Sequence, residues 1–152
     1  MDALDKAILV CLAENARMTA SAIGKRVSLS VSSVTERIKK LEENGTIERY
    51  TLLLDDKSMD CGTDAYFEVT LKAPSFGESF ASTVCSFCEV LRCDLIAIEY
   101  DYLLFVSCSD INAIDALRTK ISAINGVKGI KVRLVLHRHK RSTSPLCNTD
   151  PA

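Results

Sequence analysis

The chain has 152 residues, of which 47% are hydrophobic and 26% charged, so it can fold around one or two buried cores. It has no apolar run approaching the roughly 18 residues of a membrane span, and its acidic N-terminus lacks a signal-peptide pattern. Seven cysteines without a secretion signal indicate free thiols in a reducing cytosol. We therefore expect a cytoplasmic protein with no membrane partner.

Charge is unevenly distributed along the chain, whose net charge is −1. Residues 1–50 hold 8 basic and 7 acidic groups, residues 51–117 hold 3 and 12, and residues 118–152 hold 8 and 1. This asymmetry indicates separate roles for different parts of the chain, although the charge of a whole domain is a poor guide to any one face.

The first predicted helix runs roughly from residue 4 to residue 15. Its apolar residues recur at helical spacing, and Asp2 and Asp5 lie where the positive end of the helix dipole favours acidic side chains. A second helix begins after Thr19, which is a good N-cap residue. Gly24 inside that helix should cost about 1 kcal/mol relative to alanine, and close approach of the next helix would explain its presence.

A turn at residues 28–30 precedes a third helix, which Ser30 should cap. The apolar stripe of this helix consists of Val31, Val34, Ile38 and Leu41. Polar side chains point away from the stripe, with Arg37 on its flank: Ser32, Ser33, Glu36, Lys39, Lys40 and Glu43. Gly45 should end the helix in a left-handed conformation. Residues 47–54 then read as extended, either as a wing hairpin or as an arm leaving the domain.

Two helices around a tight turn, the second with a polar outer face, are typical of a helix-turn-helix that reads duplex DNA. The third helix would enter the major groove, with Ser32, Ser33 and Glu36 near base edges and basic side chains on phosphates. The candidate DNA-binding residues are Thr19, Ser30, Ser32, Ser33, Thr35, Glu36, Arg37, Lys39, Lys40 and Arg49. The alternative is an ordinary solvated helix followed by a plain linker strand.

The second half reads as strand, helix, strand, strand, helix, strand. The strands are predicted at residues 65–72, 93–100, 102–107 and 127–137. A capping box from Ser75 to Glu78 should start the first helix, and Asp110 should cap the second. The predicted inward residues of the first helix and the last strand are Phe76, Phe80, Val84, Phe87, Leu91, Ile130, Val132, Leu134 and Leu136. This order predicts a ferredoxin-like sandwich whose open sheet face could pair with a second subunit.

Short motifs in both halves match one family. They are Leu4-Asp5, Thr19, Ile23, Val27, Leu29-Ser30, Ser33-Val34, Arg37, Leu41-Glu42, residues 45–47, Tyr50-Thr51, residues 101–104 and residues 124–127. Over about residues 2–140 the chain resembles the Lrp/AsnC (feast/famine) transcriptional regulators. The resemblance implies an α+β protein with a winged helix-turn-helix DNA-binding domain at residues 1–50 and a linker strand or hinge at 51–62. A βαββαβ ferredoxin-like (RAM-type) effector-binding and oligomerisation domain would follow at 63–140, and we expect a disordered tail at 141–152.

The resemblance also implies dimers built through the sheets, assembling into tetramers or octamers, and control by an amino acid or related metabolite. The implied effector residues lie at the turn before the third strand: Ile98, Glu99, Tyr100, Asp101 and Tyr102. The family usually has glycine where this chain has Ser28 and Ile98. An isoleucine at the second position could fill the space for a ligand, which leaves a tight hairpin turn as the alternative to an effector pocket.

Other classes of protein remain as alternatives. Without an effector, the chain would be an architectural protein that wraps DNA. It could also be a small-molecule-binding or enzymatic sandwich whose helical domain serves protein contacts, or a redox sensor. We find no Gly-rich phosphate loop, no metal-ligand set, and no nucleophile with a plausible base, so we expect no catalysis and no cofactor. Cys85 and Cys88 have a metal or redox spacing, but they fall within a predicted helix and read as small residues without chemistry.

Overall fold

The computed structural model describes residues 1–52, 54, 62–97 and 101–141, and these residues form two compact units. The first unit contains three helices: α1 (Ala3–Glu14), α2 (Ala20–Val27) and α3 (Val31–Glu43). The second unit contains two helices and one four-stranded sheet: β1 (Thr63–Leu71), α4 (Gly77–Val84), β2 (Val90–Leu95), β3 (Tyr102–Cys108), α5 (Ile111–Ser122) and β4 (Val127–Leu134). Among the described residues, no helix is long and apolar enough to cross a membrane.

Side-chain caps fix the starts of all three helices in the first unit. Asp2 caps α1 and forms a reciprocal capping box with Asp5. The hydroxyl of Thr19 accepts from the backbone N–H of Ala22 at 3.2 Å, and the hydroxyl of Ser30 accepts from that of Ser33 at 3.2 Å. The predicted starts of the second and third helices are therefore confirmed, because a short polar side chain satisfies an otherwise unpaired backbone donor at each.

A small apolar core holds the three helices together. Its buried members are Ile8, Cys11, Ile23 and Val34. Gly24 is needed beside this core because a Cβ on it would lie 2.6 Å from the backbone oxygen of Leu29. The close approach predicted for Gly24 therefore exists, but the obstructing atom belongs to the turn between α2 and α3.

Two left-handed residues end α2 and α3. Ser28 follows α2 with φ 55° and ψ 44°, and Gly45 lies just beyond α3 with φ 74°. Gly45 has the predicted conformation. Within the described part of residues 47–54, no residue belongs to a β-strand, so the structure shows neither a wing hairpin nor a paired arm strand there.

The sheet has the strand order β2-β3-β1-β4 with every neighbouring pair antiparallel, which confirms the predicted βαββαβ sandwich. Its central register places Phe67 of β1 opposite Leu104 of β3 and Val132 of β4. Alternate residues of β1 and β3 are buried on one face, where they pack with α4 and α5: Ala65, Phe67, Val69, Leu71, Tyr102, Leu104, Val106 and Cys108. The residues that alternate with them along β1 and β3 point to the other face of the sheet, which is more exposed.

The predicted start and length of the first helix in this unit are wrong. Pro74 begins a short 3-10 turn, Pro74–Phe76, so Ser75 lies inside that turn and cannot cap α4. The N-cap of α4 is Phe76, which makes no side-chain cap bond. The helix ends at Val84, and Leu91 lies exposed on β2 instead of on the helix.

Two strand boundaries also differ from the prediction. β2 begins at Val90, which pairs with Val106 across a β-bulge that accommodates Leu91, and it ends at Leu95. β4 ends at Leu134, which lies opposite Ala65 near the start of β1. Leu134 and Leu136 are predicted to face inward, but they are 44% and 95% exposed. Leu134 is the last residue of β4, and Leu136 lies beyond the end of the sheet.

Candidate nucleic-acid interface

A group of three hydroxyls lies at the N-terminal end of α3. The Ser30 Oγ lies 3.0 Å from that of Ser32 and 2.8 Å from that of Ser33. Ser30 and Ser32 are exposed and Ser33 is half-buried. Hydroxyls both donate and accept hydrogen bonds, so this group can meet either kind of base-edge atom or a phosphate oxygen. The structure brings these three predicted residues together.

Val31 is the exposed apolar residue that the sequence prediction missed. Helical spacing predicts that Val31 belongs to the buried stripe of α3, but it is 52% exposed, whereas Val34 and Leu41 are buried. Val31 is the first residue of α3, so it precedes the part of the helix that packs on α1 and α2. An exposed side chain of this kind is suited to contact the methyl group of thymine. Its position directly after the cap could have indicated this exposure.

Lys39 and Lys40 lie exposed on α3 and pair with carboxylates of the same helix. Lys40 Nζ lies 2.8 Å from Glu36 Oε1, and Lys39 Nζ lies 3.6 Å from Glu43 Oε1. The hydrogen bond from Lys40 holds the pKa of Glu36 below its ordinary value. Such exposed pairs are weak and screened by salt, so either lysine can exchange its carboxylate for a phosphate.

Arg37 has a different environment from the two lysines. Its Nη1 lies 2.7 Å from Asp2 Oδ2 and 2.7 Å from Asp5 Oδ1, and both carboxylates belong to the start of α1. The predicted phosphate contact is therefore, in this structure, an ion pair between α1 and α3.

The remaining predicted residues lie around α3. Thr19 caps α2, and the hydroxyl of Thr35 donates to the backbone oxygen of Val31 at 2.9 Å. Arg49 is exposed and pairs with Glu48 at 2.6 Å. Tyr50 donates from its hydroxyl to Glu42 at 2.8 Å, and burial together with that carboxylate raises the pKa of Tyr50 to about 12. This bond ties the segment after Gly45 to the end of α3.

The predicted effector residues are described only in part. Ile98, Glu99 and Tyr100 lie outside the described residues. Asp101 supports the sheet: its backbone N–H donates to Val69 O at 3.0 Å, and its carboxylate accepts from the backbone N–H of Leu71.

Tyr102 lies on the helix-facing side of the sheet. Its ring centroid is 5.0 Å from that of Phe80, and a Cβ on Gly77 would lie 2.9 Å from its hydroxyl oxygen. Only 8% of Tyr102 is exposed. The described contacts of Asp101 and Tyr102 are therefore structural, and both residues border the segment where an effector is expected.

Cys85 and Cys88 lie outside the helix in which the sequence predicts them. Cys85 follows the last residue of α4, and Cys88 lies beyond the helix. Burial, and then the neighbouring thiol of Cys85, raise the pKa of Cys93 to about 11, so the thiol of Cys93 is poorly ionised at neutral pH. Within the described ranges, no group of three or more His, Cys, Asp or Glu side chains could hold a metal ion.

Known proteins match both units of the chain. The profile of the AsnC-type helix-turn-helix domain matches residues 1–42, and that of the Lrp/AsnC ligand binding domain matches residues 64–145. The leucine-responsive regulatory proteins of Klebsiella pneumoniae and Escherichia coli K12 are 31% and 30% identical to the chain, with the alignments covering 98% of it and 93% of each relative.

Solved structures agree with these sequence matches. The Neisseria meningitidis regulator NMB0573, solved in complex with L-Met, has 35% identity and a TM-score of 0.90. An AsnC family regulator from Agrobacterium tumefaciens has 28% identity and a TM-score of 0.89. Each alignment covers 95% of both chains.

The helix-turn-helix unit and the βαββαβ sandwich, with the domain profiles that match them, are those of a transcriptional regulator with a DNA-binding domain and a separate ligand-binding domain. The chain belongs to the Lrp/AsnC family of such regulators.

Proposed function

We propose that this chain is an oligomeric, sequence-specific regulator that reads duplex DNA in the cytoplasm through the outer face of α3. The observation that carries the proposal is the composition of that face. The group of three serine hydroxyls and the exposed side chain of Val31 lie at the N-terminal end of this face. Lys39 and Lys40 lie further along it. Base-edge readers followed by phosphate-binding cations are the arrangement that a recognition helix needs. The role is regulatory and not catalytic.

Charge reversal on α3 tests this proposal. We expect the double variant Lys39→Glu/Lys40→Glu to bind DNA at least about 10-fold more weakly at moderate salt, because two phosphate contacts are lost. The slope of log affinity against log salt should become shallower by about 2, at roughly 0.9 per lost contact. The measurement is a fluorescence-anisotropy titration at several salt concentrations. Lys128→Glu, an exposed change on β4, is the matched control. Unchanged binding by the double variant would reject the assignment of α3.

The role of Val31 is tested with the same assay by comparing two DNA sequences. Val31→Ala should reduce the preference for the selected site over a site in which one thymine is replaced by cytosine, because the apolar contact to the thymine methyl is lost. Its salt slope should equal that of the unmodified protein, since no charge changes. A change in slope without a change in preference would contradict a base-reading role for Val31.

The open sheet face supports the proposed self-association. It carries Tyr66, which is 40% exposed, beside Phe105, with ring centroids 5.2 Å apart. Two ion pairs border these rings, Glu68–Arg133 and Asp64–Arg138. An aromatic centre with a charged rim is typical of a protein interface. We infer a dimer through this face, which would assemble further into tetramers or octamers and present paired α3 helices to a pseudo-palindromic site.

The effector is proposed to be an apolar amino acid or a related metabolite. The named response of the leucine-responsive relatives and the L-Met complex of the Neisseria protein support this class. We expect leucine or methionine to change assembly size and DNA affinity together, because a ligand shifts a population only by binding two states unequally. The measurement is a titration of the full chain with a panel of amino acids, followed by light scattering and anisotropy.

Ile98 is the feature that favours the second candidate function, an architectural DNA-wrapping protein without an effector. The matched variant is Ile98→Gly, which restores the residue usual in the family. A response that appears only in Ile98→Gly supports the architectural candidate for the unmodified chain. A flat response in both proteins would reject amino-acid control at this turn.

A further inference from the structure

We propose that Arg37 is a positioning residue, and that the acidic start of α1 belongs to the DNA-binding apparatus through it. The inference rests on the proposed DNA-reading function of α3 and assigns a role to a segment, Asp2 to Asp5, that has no predicted contact with DNA. In this role Arg37 sets the orientation of α3 without touching phosphate.

The hydrogen bonds of the two carboxylates carry the inference. Asp2 uses Oδ1 to accept from the backbone N–H of Asp5 at 2.8 Å, and Asp5 uses Oδ2 to accept from that of Asp2 at 2.9 Å. The second oxygen of each carboxylate accepts from Arg37 Nη1 at 2.7 Å. All four carboxylate oxygens therefore have a donor, and the cap of α1 and the anchor of α3 form one network.

Burial and charge favour an internal role for Arg37. Its side chain is 30% exposed; those of its partners Asp5 and Asp2 are 17% and 54% exposed, whereas Lys39 and Lys40 are about 70% exposed. Two carboxylates face one guanidinium, so the network has a net negative charge and is a poor site for phosphate. The capping N–H groups first, and then Arg37, hold the pKa values of Asp2 and Asp5 below their ordinary value, so both stay ionised at neutral pH.

Arg37 is the residue through which α3 forms ion pairs with α1. Within the described first unit, the other ion pairs of α3 join residues of the same helix, whereas Arg37 reaches α1. The buried side of α3 is otherwise apolar, and its packing sets which face of the helix is buried. Charge-assisted hydrogen bonds on the flank have a narrower geometry than apolar contacts, so they constrain the orientation of α3 further, and base readout requires side chains held to about 0.5 Å.

Two variants of the full chain distinguish positioning from phosphate contact. If Arg37 positions α3, both Arg37→Gln and Asp5→Asn should weaken binding to the specific site by about 10-fold, because each removes a charge-assisted bond. Binding to random-sequence DNA and the salt slope should not change. If Arg37 instead binds phosphate, Asp5→Asn should tighten binding by freeing Arg37, and Arg37→Gln should make the salt slope shallower by about 0.9.

Further variants keep the test decisive. The double variant Arg37→Gln/Asp5→Asn should lose no more affinity than either single variant, since both act on one network. Arg37→Lys keeps the charge and replaces Arg37→Gln if thermal unfolding shows that the glutamine variant is unfolded. Lysine should preserve a phosphate contact but only partly replace a bridge between two carboxylates.

The controls separate the two proposals. Loss of binding in Lys39→Glu/Lys40→Glu together with tighter binding in Asp5→Asn would overturn only the positioning role. Unchanged binding in Lys39→Glu/Lys40→Glu would overturn the DNA-reading role of α3 itself.

Discussion

Ser28 occupies a backbone conformation that usually belongs to glycine. Its φ of 55° brings Cβ close to the next carbonyl oxygen, which costs about 1 kcal/mol or more. The turn retains this conformation because the backbone N–H groups of Ser28 and Leu29 both donate to Gly24 O, which closes the end of α2. These two hydrogen bonds, together with the one core that α2 and α3 share, stabilise a strained residue between the two helices.

Relieving that strain gives a prediction at the residue scale. We expect Ser28→Gly to raise the free energy of unfolding of the first unit by about 1 kcal/mol, since glycine has no Cβ to strain. Urea denaturation followed by circular dichroism measures the change. Ser28→Ala keeps Cβ and should show no gain. Equal stability of the glycine and alanine variants would mean that the strain is absent in solution.

At the scale of elements, the packing of α2 on the turn depends on the absence of one methyl group. Gly24→Ala would place Cβ 2.6 Å from Leu29 O, and this obstacle is backbone that cannot rotate away. We expect the variant to lose about 1–3 kcal/mol of stability despite the higher helix propensity of alanine.

The control for this prediction is Gly129→Ala on β4, where a Cβ would meet no atom within 4 Å. Differential scanning calorimetry should show a lower melting temperature for Gly24→Ala and little change for the control. A neutral Gly24→Ala would show that the turn between α2 and α3 can shift at little cost.

The elements also show how far sequence alone can predict structure. The caps at Thr19, Ser30 and Asp110 were predictable because each satisfies a backbone donor within its own turn of helix. The start of β2 was not, because a bulge paired with β3 sets it, and this pairing is invisible in local alternation. These three helix starts are set by neighbours in sequence, whereas the start of β2 is set by a neighbour in space.

In the candidate site, too, features set within one helix could be predicted from the sequence, and contacts between helices could not. The polar face of α3 followed from helical spacing, and the structure shows those side chains exposed or half-buried as the spacing predicts. The ion pairs of Arg37 could not be predicted from spacing within α3, because its partners lie 35 and 32 residues away on another helix.

At the scale of the whole molecule, the open sheet face gives a test of the proposed assembly. We expect Tyr66→Glu to shift the protein to a smaller assembly, because the proposed interface would then bury a carboxylate from each subunit. The single chain should tolerate the change, since Arg133 lies directly opposite on β4. Light scattering gives the mass, and anisotropy should show weaker binding to a two-half-site DNA.

Ile111→Glu provides the matched control for this change. Ile111 is also exposed and apolar, but it lies at the start of α5, away from the open sheet face. This variant should keep the assembly and the DNA affinity of the unmodified protein. Dissociation by Ile111→Glu but not by Tyr66→Glu would place the interface elsewhere.

The strand order has a consequence for the order of folding during synthesis. The three helices of the first unit contact one another over short sequence distances, so their core is complete once residue 43 is free. β1 occupies the centre of the sheet, yet its two partners, β3 and β4, are made much later. Until residues 127–134 leave the ribosome, one edge of β1 lacks its hydrogen-bonding partner, and unpaired edges of this kind promote aggregation.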